Sequence, residues 1–299
     1  MNLFKAIYAL LKETIEGWSQ ANGNLLAAAL AYYAVFSLAP LLVIALAVAG
    51  LVFEEAAITI ALLEQVGGMV SPEVELALRG IIQNINRYPR SGLAATISIA
   101  VLGVSASILF VQLKRAINFL WGIVPQPGKG LIIVIKTHFL SLLMVMLIGL
   151  LLIAAMVLGT LLVYMDQIIT IIPAFQDGLP QVNFGLMFLT FSLFFALIFK
   201  TLPDAEIDWE DVWLGAAVTS IFFTIGEFLI GFYLSRTNLG SAYGAASSFF
   251  VVIVWVYFSM QIILFGAKFT QVYADRHGSK VRPDKRTDLV VRKRLQDDN

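Results

Sequence analysis

Polar and apolar positions alternate along this chain in long blocks rather than at a short period. Six blocks, at 25–53, 93–113, 137–164, 183–200, 212–234 and 246–267, are long and apolar enough to be helices crossing a bilayer, because a spanning helix needs about 20 such residues. The first and third are longer than the hydrocarbon layer is thick, so they must tilt, bend or protrude. The expected fold is all-α: a polytopic membrane protein with six transmembrane helices.

The first residues follow a different rule. Phe4, Ile7, Leu11, Ile15 and Trp18 fall near one helical face, with Lys5, Lys12, Glu13 and Glu16 mostly elsewhere. That pattern predicts an amphipathic helix over 1–24 lying along the membrane surface. The apolar run that follows is too long for a cleaved signal peptide. Residues 54–92 are too many for a turn. Within them Ser71-Pro72-Glu73 supplies an N-cap, a first-turn proline and a first-turn acid, and Val74, Leu78, Ile81 and Ile85 recur at helical spacing. The expectation is a helical outer cap between spans 1 and 2, with 86–92 as a hinge. Residues 25–275 then form the six-span domain, and 276–299 a basic, flexible cytoplasmic tail. Three spans before three spans invites a search for an inverted repeat, but no residue pattern of the first half recurs in the second.

Composition agrees with a bilayer as solvent. The chain has 299 residues, 59% hydrophobic and 13% charged, against about 25% charged in an ordinary soluble domain. Zero net charge hides an asymmetry. Sixteen of the twenty lysines and arginines lie in 1–24, 114–136, 200–211 and 267–299, and four in 54–92, 165–182 and 235–245. Positive charge stays inside, so both termini are expected in the cytoplasm (N-in/C-in). The basic tail suits either this flank role or contact with anionic lipid headgroups. It has no aromatic residue after Tyr273 on which bases could stack, so nucleic acid is not an expected partner.

Polar residues inside the spans carry the candidate chemistry. Pro40 sits near the middle of the first span and cannot donate to the carbonyl of Phe36. In hydrocarbon an unpaired carbonyl costs several kcal/mol unless protein or water answers it, and Ser37, one turn earlier, can bend the helix further. In the fifth span Ser220, Thr224, Glu227 and Gly231 share one face. Ser98, Ser105 and Gln112 step along the second at seven-residue intervals, and Ser248, Trp255, Ser259 and Gly266 along the sixth. Glu227 is the only acid within a span. It should face the bundle interior, protonated or paired, because an ionised carboxylate at mid-bilayer costs roughly 2.5–3.5 kcal/mol or more. Its candidate partners are Tyr32, Tyr33, Ser37, Gln112 and Tyr243. Lys114 and Arg115, just past the second span, are candidate contacts for anionic headgroups.

Catalytic constellations are missing from the pattern. There is no cysteine, and His138 and His277 are the only histidines, so no metal-ligand spacing arises. The stretch "GIVPQPGKG" over 122–130 echoes a phosphate loop but has five residues between its first two glycines and no Ser or Thr after Lys129. No metal, no cofactor and no enzymatic activity are expected.

The segments "AAALAYYAVFSLAPLL", "QLKRAINFLWGI", "LPDAEIDWEDVWLGA", "GEFLIGFYL" and "SAYGAASSFFVVIVWVYFSMQIILFGAKFTQVYA" resemble the YihY/virulence factor BrkB family of bacterial inner-membrane proteins, some of which carry the label ribonuclease BN. The resemblance runs in order from about residue 20 to 275 and implies six spans. Positions that match its pattern are Ser37, Pro40, Asn118, Trp121, Pro203, Gly215, Glu227, Tyr233, Tyr243, Gly244, Trp255, Tyr257 and Gly266. The family commonly has an acid where this chain has Lys268. The resemblance implies envelope functions and lipid-precursor movement, and nothing in the residues could carry ribonuclease chemistry.

The expected function is a permease or flippase for an amphiphilic or envelope-lipid-type substrate in the bacterial inner membrane. Membrane lipids are its partners, and Glu227, Ser37, Pro40, Gln112, Thr224 and Tyr243 its candidate substrate or proton site. The alternative is a non-transporting scaffold for envelope biogenesis. The pair Gly240/Gly244 suits internal packing and self-association alike.

Overall fold

A computed structural model of the chain describes residues 3–49, 93–125, 143, 147, 179–236, 247–283 and 287–289. Among these are six helices: α1 (Leu3–Gln20), α2 (Gly23–Ala49), α3 (Leu93–Leu120), α4 (Leu179–Thr201), α5 (Trp209–Arg236) and α6 (Ser247–His277). Four short strands accompany them: β1 (Ile123–Pro125), β2 (Ala205–Glu206), β3 (Arg282–Pro283) and β4 (Thr287–Leu289).

Helices α2 to α6 coincide with five of the six apolar blocks. The third block and the expected outer cap lie outside the described residues, apart from Leu143 and Leu147. Helix α3 continues beyond the end of its apolar block to Leu120, and α6 continues to His277. Both extensions carry polar residues with tertiary partners, so packing prolongs the helix where hydropathy alone would end it. Among the described residues, Trp209–Tyr233 and Phe250–His277 are each long and apolar enough to cross a membrane, and Gly23–Ser37 and Gly185–Thr201 are shorter apolar stretches.

Helix α6 is the axis of the arrangement. It packs against α5 on one side and α2 on another, α2 in turn packs on α3, and α4 packs on α5. Large side chains fill the seams: Trp121, Ile117, Phe195, Ile198, Phe199, Val212 and Leu264 are all at most 1% exposed. The approach between α5 and α6 is made by small residues. A side chain at Gly215 would overlap Thr270, and one at Gly266 would overlap Thr219. Each threonine hydroxyl donates back along its own helix, Thr219 to the Gly215 carbonyl at 2.7 Å and Thr270 to the Gly266 carbonyl at 2.8 Å, and the same oxygen is the atom that a side chain at the opposing glycine would meet first.

The α1 helix lies along the end of α6. It buries Leu10 and Thr14 there, while Ile7, Tyr8 and Ile15 stay exposed. The apolar face expected from Phe4, Ile7, Leu11, Ile15 and Trp18 is thus rotated: the seated edge runs through Leu10 and Thr14, on its flank. Asn22, with φ 51°, turns the chain from α1 into α2.

The described residues are mostly helical, as an all-α fold requires, with four strands of two or three residues beside the helices. Gly122 adopts φ 70°, a left-handed stop that closes α3, and the chain then extends into β1. Strand β1 pairs antiparallel with β4, and β2 with β3. Within 276–299, Arg282–Pro283 thus lies against the α4–α5 connection and Thr287–Leu289 against the segment that follows Gly122. Parts of all four segments that the basic-residue count assigns to one side meet at this one end of the bundle.

Candidate functional site

Glu227 lies on α5 in line with Ala216, Ser220, Phe223 and Ile230, at the i, i+4, i+7, i+11, i+14 spacing of one face. Ala216 and Ser220 are fully buried and Ile230 is 7% exposed, so this is the packed face; Glu227 itself is half-buried. The opposite face of α5, through Ile221, Ile225, Phe228 and Phe232, is exposed. Two turns before Glu227, the Ser192 hydroxyl of α4 donates to the Ser220 hydroxyl of α5 at 3.1 Å, and Ser220 donates to the Ala216 carbonyl at 2.9 Å. Phe191, Phe195 and Phe223 pack edge to face or tilted around this pair, with ring centres 5.1–5.5 Å apart. The acid thus belongs to the α4-facing side of α5 rather than to its bare outer surface.

The remaining predicted residues are dispersed. Thr224 is half-buried beside Glu227 and donates to the Ser220 carbonyl at 2.9 Å. Ser37 is buried on α2 and donates to the Ala34 carbonyl at 3.1 Å. Helix α2 runs unbroken through Pro40 to Ala49. Gln112 is half-buried on α3. Tyr243 lies outside the described residues. Helices α2 and α3 pack with α6, whereas α5 packs on α4 and on another side of α6. Ser37 and Gln112 therefore belong to a different seam from Glu227 and Thr224. Of the proposed aromatic partners, Tyr32 is exposed and lies edge-on to Tyr33 and tilted against Phe36 along α2, with ring centres 5.6 and 4.8 Å apart.

The expected headgroup contacts divide. Arg115 is exposed. Lys114 is instead committed to Asp204, with its ammonium 2.7 Å from the carboxylate. Asn118 completes that knot: its amide donates to Asp204 at 2.9 Å, and its carbonyl oxygen accepts from the Asp204 backbone N–H at 2.9 Å. Lys200, at the end of α4, donates to the Ile207 carbonyl and lies over the Trp209 ring at 5.6 Å.

A second knot, absent from the sequence reading, surrounds the end of α3. The Trp121 indole N–H donates to the Ala267 carbonyl at 2.9 Å, Gln271 donates to the Trp121 carbonyl at 3.0 Å, and Lys268 donates to the Leu120 carbonyl at 3.2 Å and to Gln271 at 2.8 Å. Helix α6 thereby satisfies the last carbonyls of α3, groups that a helix end otherwise leaves open. The available signal was the polar spacing Lys268/Gln271 in an otherwise apolar helix. Among the described residues, no three His, Cys, Asp or Glu side chains are grouped to hold a metal ion. His277 stacks on Tyr273 at 5.5 Å, and His138 lies outside the described residues.

The profile of the family described as Virulence factor BrkB matches residues 14–289. The chain belongs to that family. As a BrkB-family chain with helices of membrane-crossing length, it is a membrane protein. Relatives named UPF0761 membrane protein include one from Saccharophagus degradans, 25% identical over 94% of this chain and 62% of its own length. Another, from Coxiella burnetii (strain Dugway 5J108-111), is 33% identical over 60% of this chain and 62% of its own. A third, from Glaesserella parasuis serovar 5, is 26% identical over 60% and 61%. The matches span about three fifths of the length of these curated relatives. No solved structure matches the chain.

Several positions shared with the family pattern are packing devices here. Asn118 holds Asp204, Trp121 ties α3 to α6, and Gly215 and Gly266 seat Thr270 and Thr219. Glu227, half-buried on α5, is not one of these packing devices.

Proposed function

We propose that this BrkB-family chain is a six-span permease or flippase of the bacterial inner membrane, with both termini cytoplasmic, acting without enzymatic chemistry on an amphiphilic or envelope-lipid-type substrate. The observation that supports it is the placement of Glu227 on the packed face of α5, in line with Ser220, whose hydroxyl meets Ser192 of α4. An acid in a membrane-crossing helix is costly when it faces hydrocarbon. Set against α4 and next to Thr224, it can bind a polar headgroup or exchange a proton. The charge bias of the loops supports the cytoplasmic assignment of the end that carries α1 and the tail.

The test is reconstitution of the full chain in proteoliposomes with fluorescent phospholipid and undecaprenyl-phosphate probes. Wild type should move at least one probe between leaflets, and Glu227→Gln should slow it at least tenfold while preserving the thermal midpoint. Equal rates for the two proteins would remove the carboxylate from the mechanism, and movement of no probe would remove the class. The scaffold reading draws on the folded tail, which presents a built surface at one end. It expects tail deletion to abolish cellular function while Glu227→Gln is silent.

A further inference from the structure

Helix α1 carries more apolar surface than the bundle covers. On its inner side Leu10 joins Phe269 and Val272 of α6, with Leu11, Tyr273 and Val218 of α5 packed around them. The Thr14 hydroxyl donates to the Leu10 carbonyl at 2.7 Å, so this contact buries no open polar group. Glu13 pairs with Arg276 at 2.7 Å, and the Lys268 side chain lies against Gly17. Three kinds of contact therefore fix α1 on α6. Its outer side is also apolar: Ile7, Tyr8 and Ile15 are 48%, 64% and 55% exposed, flanked by exposed Lys5 and Lys12. A rigidly held helix with an apolar outer face has a second neighbour.

Continuity along α5 identifies that neighbour. Val218, which packs in the α1 cluster, is a member of the series Leu214, Val218, Ile221, Ile225, Phe228 and Phe232 on the outward face of α5. All of these but Val218 are exposed. That series has interfacial residues at both ends. Trp209 and Trp213 are exposed at one, and at the other Tyr233 is exposed beside Arg236, whose guanidinium lies 4.3 Å from the Phe232 ring centre. From Trp213 to Tyr233 the helix rises about 30 Å, the thickness of the hydrocarbon core, and Trp and Tyr concentrate at its two boundaries. The seated side of α1 meets this stripe at Val218, near its Trp end.

We infer that Ile7, Tyr8 and Ile15 lie in the headgroup–acyl boundary of the leaflet marked by Trp209 and Trp213, so that α1 is gripped by α6 on one side and by the bilayer on the other. The Lys5 and Lys12 amines reach outward to the headgroups as their stems cover apolar surface. This goes beyond the proposed function and stands without it, since a scaffold would be anchored in the same way.

The chain has no cysteine, which makes site-directed spin labelling direct. Tyr8→Cys, Ile15→Cys, Glu16→Cys and Phe228→Cys, each labelled in the full-length protein and placed in nanodiscs of phosphatidylethanolamine and phosphatidylglycerol, report depth through collision with oxygen against a water-soluble nickel chelate. Labels at 8 and 15 should sit about 5–10 Å below the phosphates, shallower than 228, with at least fivefold less nickel access than 16. Nickel access at 8 and 15 equal to that at 16 would put the face in water and overturn the inference. So would labels shielded from both reagents, which would mean a protein covers the face, a second copy being revealed by spin–spin broadening. Because Tyr8 and Ile15 are exposed, an unchanged thermal midpoint of each labelled protein confirms that the fold is intact.

Discussion

Lys114 of α3 and Asp204 of the α4–α5 connection meet at 2.7 Å with only 17% and 31% of their side chains exposed, and Asn118 holds the same carboxylate from one turn further along α3. A helix and a connection that are distant in sequence are thus joined by one acid. Removing the acid leaves an ammonium and an amide short of a partner in a largely covered place, which costs more than the net value of the bond. Asp204→Ala should lower unfolding stability in detergent micelles by about 2–4 kcal/mol and Lys114→Ala by less. The double variant should fall short of additivity by about 1–3 kcal/mol. Coupling within error of zero would release Lys114 for contact with headgroups.

Gly215 and Gly266 should tolerate no side chain unless the opposing threonine is reduced. A methyl at either position overlaps a threonine on a packed helix, so Gly215→Ala should lose about 1–3 kcal/mol by overpacking, and Gly215→Leu should fail to fold. Adding Thr270→Ala to Gly215→Ala should restore much of the loss, because it removes the overlapping group while leaving the small-residue crossing. Melting curves of the two variants in the same detergent decide it; absence of rescue would show that the strain lies elsewhere.

These two contacts show what the sequence could and could not disclose. Helices α2 to α6 were legible because hydropathy in a bilayer is nearly a one-dimensional code, and the amphipathic period of α1 was visible for the same reason. The spacing that aligns Glu227 with the buried Ser220 on one face of α5 was legible too. The partners of polar residues at the helix ends were not legible. Nothing local distinguishes Lys114, which binds Asp204, from Arg115, which is exposed; their roles are set by where the α4–α5 connection returns, ninety positions away for the pair Lys114–Asp204. Ser37 and Thr224 read as site residues by type, yet each hydroxyl is bonded to its own helix. The strands were invisible because two- and three-residue pairings have no period.

Lys268 occupies a place that selects a cation. Its ammonium reaches the Leu120 carbonyl at the last residue of α3, where the aligned peptide dipoles leave negative charge. An acid at this position, as the family resemblance would imply, would face that carbonyl with like charge. Lys268→Glu should therefore destabilise the fold by about 1–2 kcal/mol, whereas Lys268→Arg should be nearly silent. Differential scanning fluorimetry of both in one detergent tests the point. A Lys268→Glu protein as stable as wild type would mean that Gln271 alone caps α3.

Asp211 governs whether the tail stays on the bundle. It sits in the first turn of α5, 5% exposed, and its carboxylate accepts from both the backbone N–H and the hydroxyl of Ser279, at 2.9 and 2.8 Å. Gly278 passes so close that any side chain there would meet the same carboxylate. Beyond it the Val281 N–H donates to Asp275 at 3.1 Å, and β3 begins. A charged hydrogen bond of this kind is worth roughly 1.5–3 kcal/mol, which is of the order of the local stability of a terminal segment. Asp211→Ala should accordingly speed amide exchange across 279–283 by about 10- to 100-fold and expose the tail to limited proteolysis, with α6 exchange up to Ala274 unchanged. Ser279→Ala should have a smaller effect, since the backbone donor survives. Unaltered exchange in Asp211→Ala would assign the anchoring of the tail to the β2–β3 and β1–β4 pairings alone.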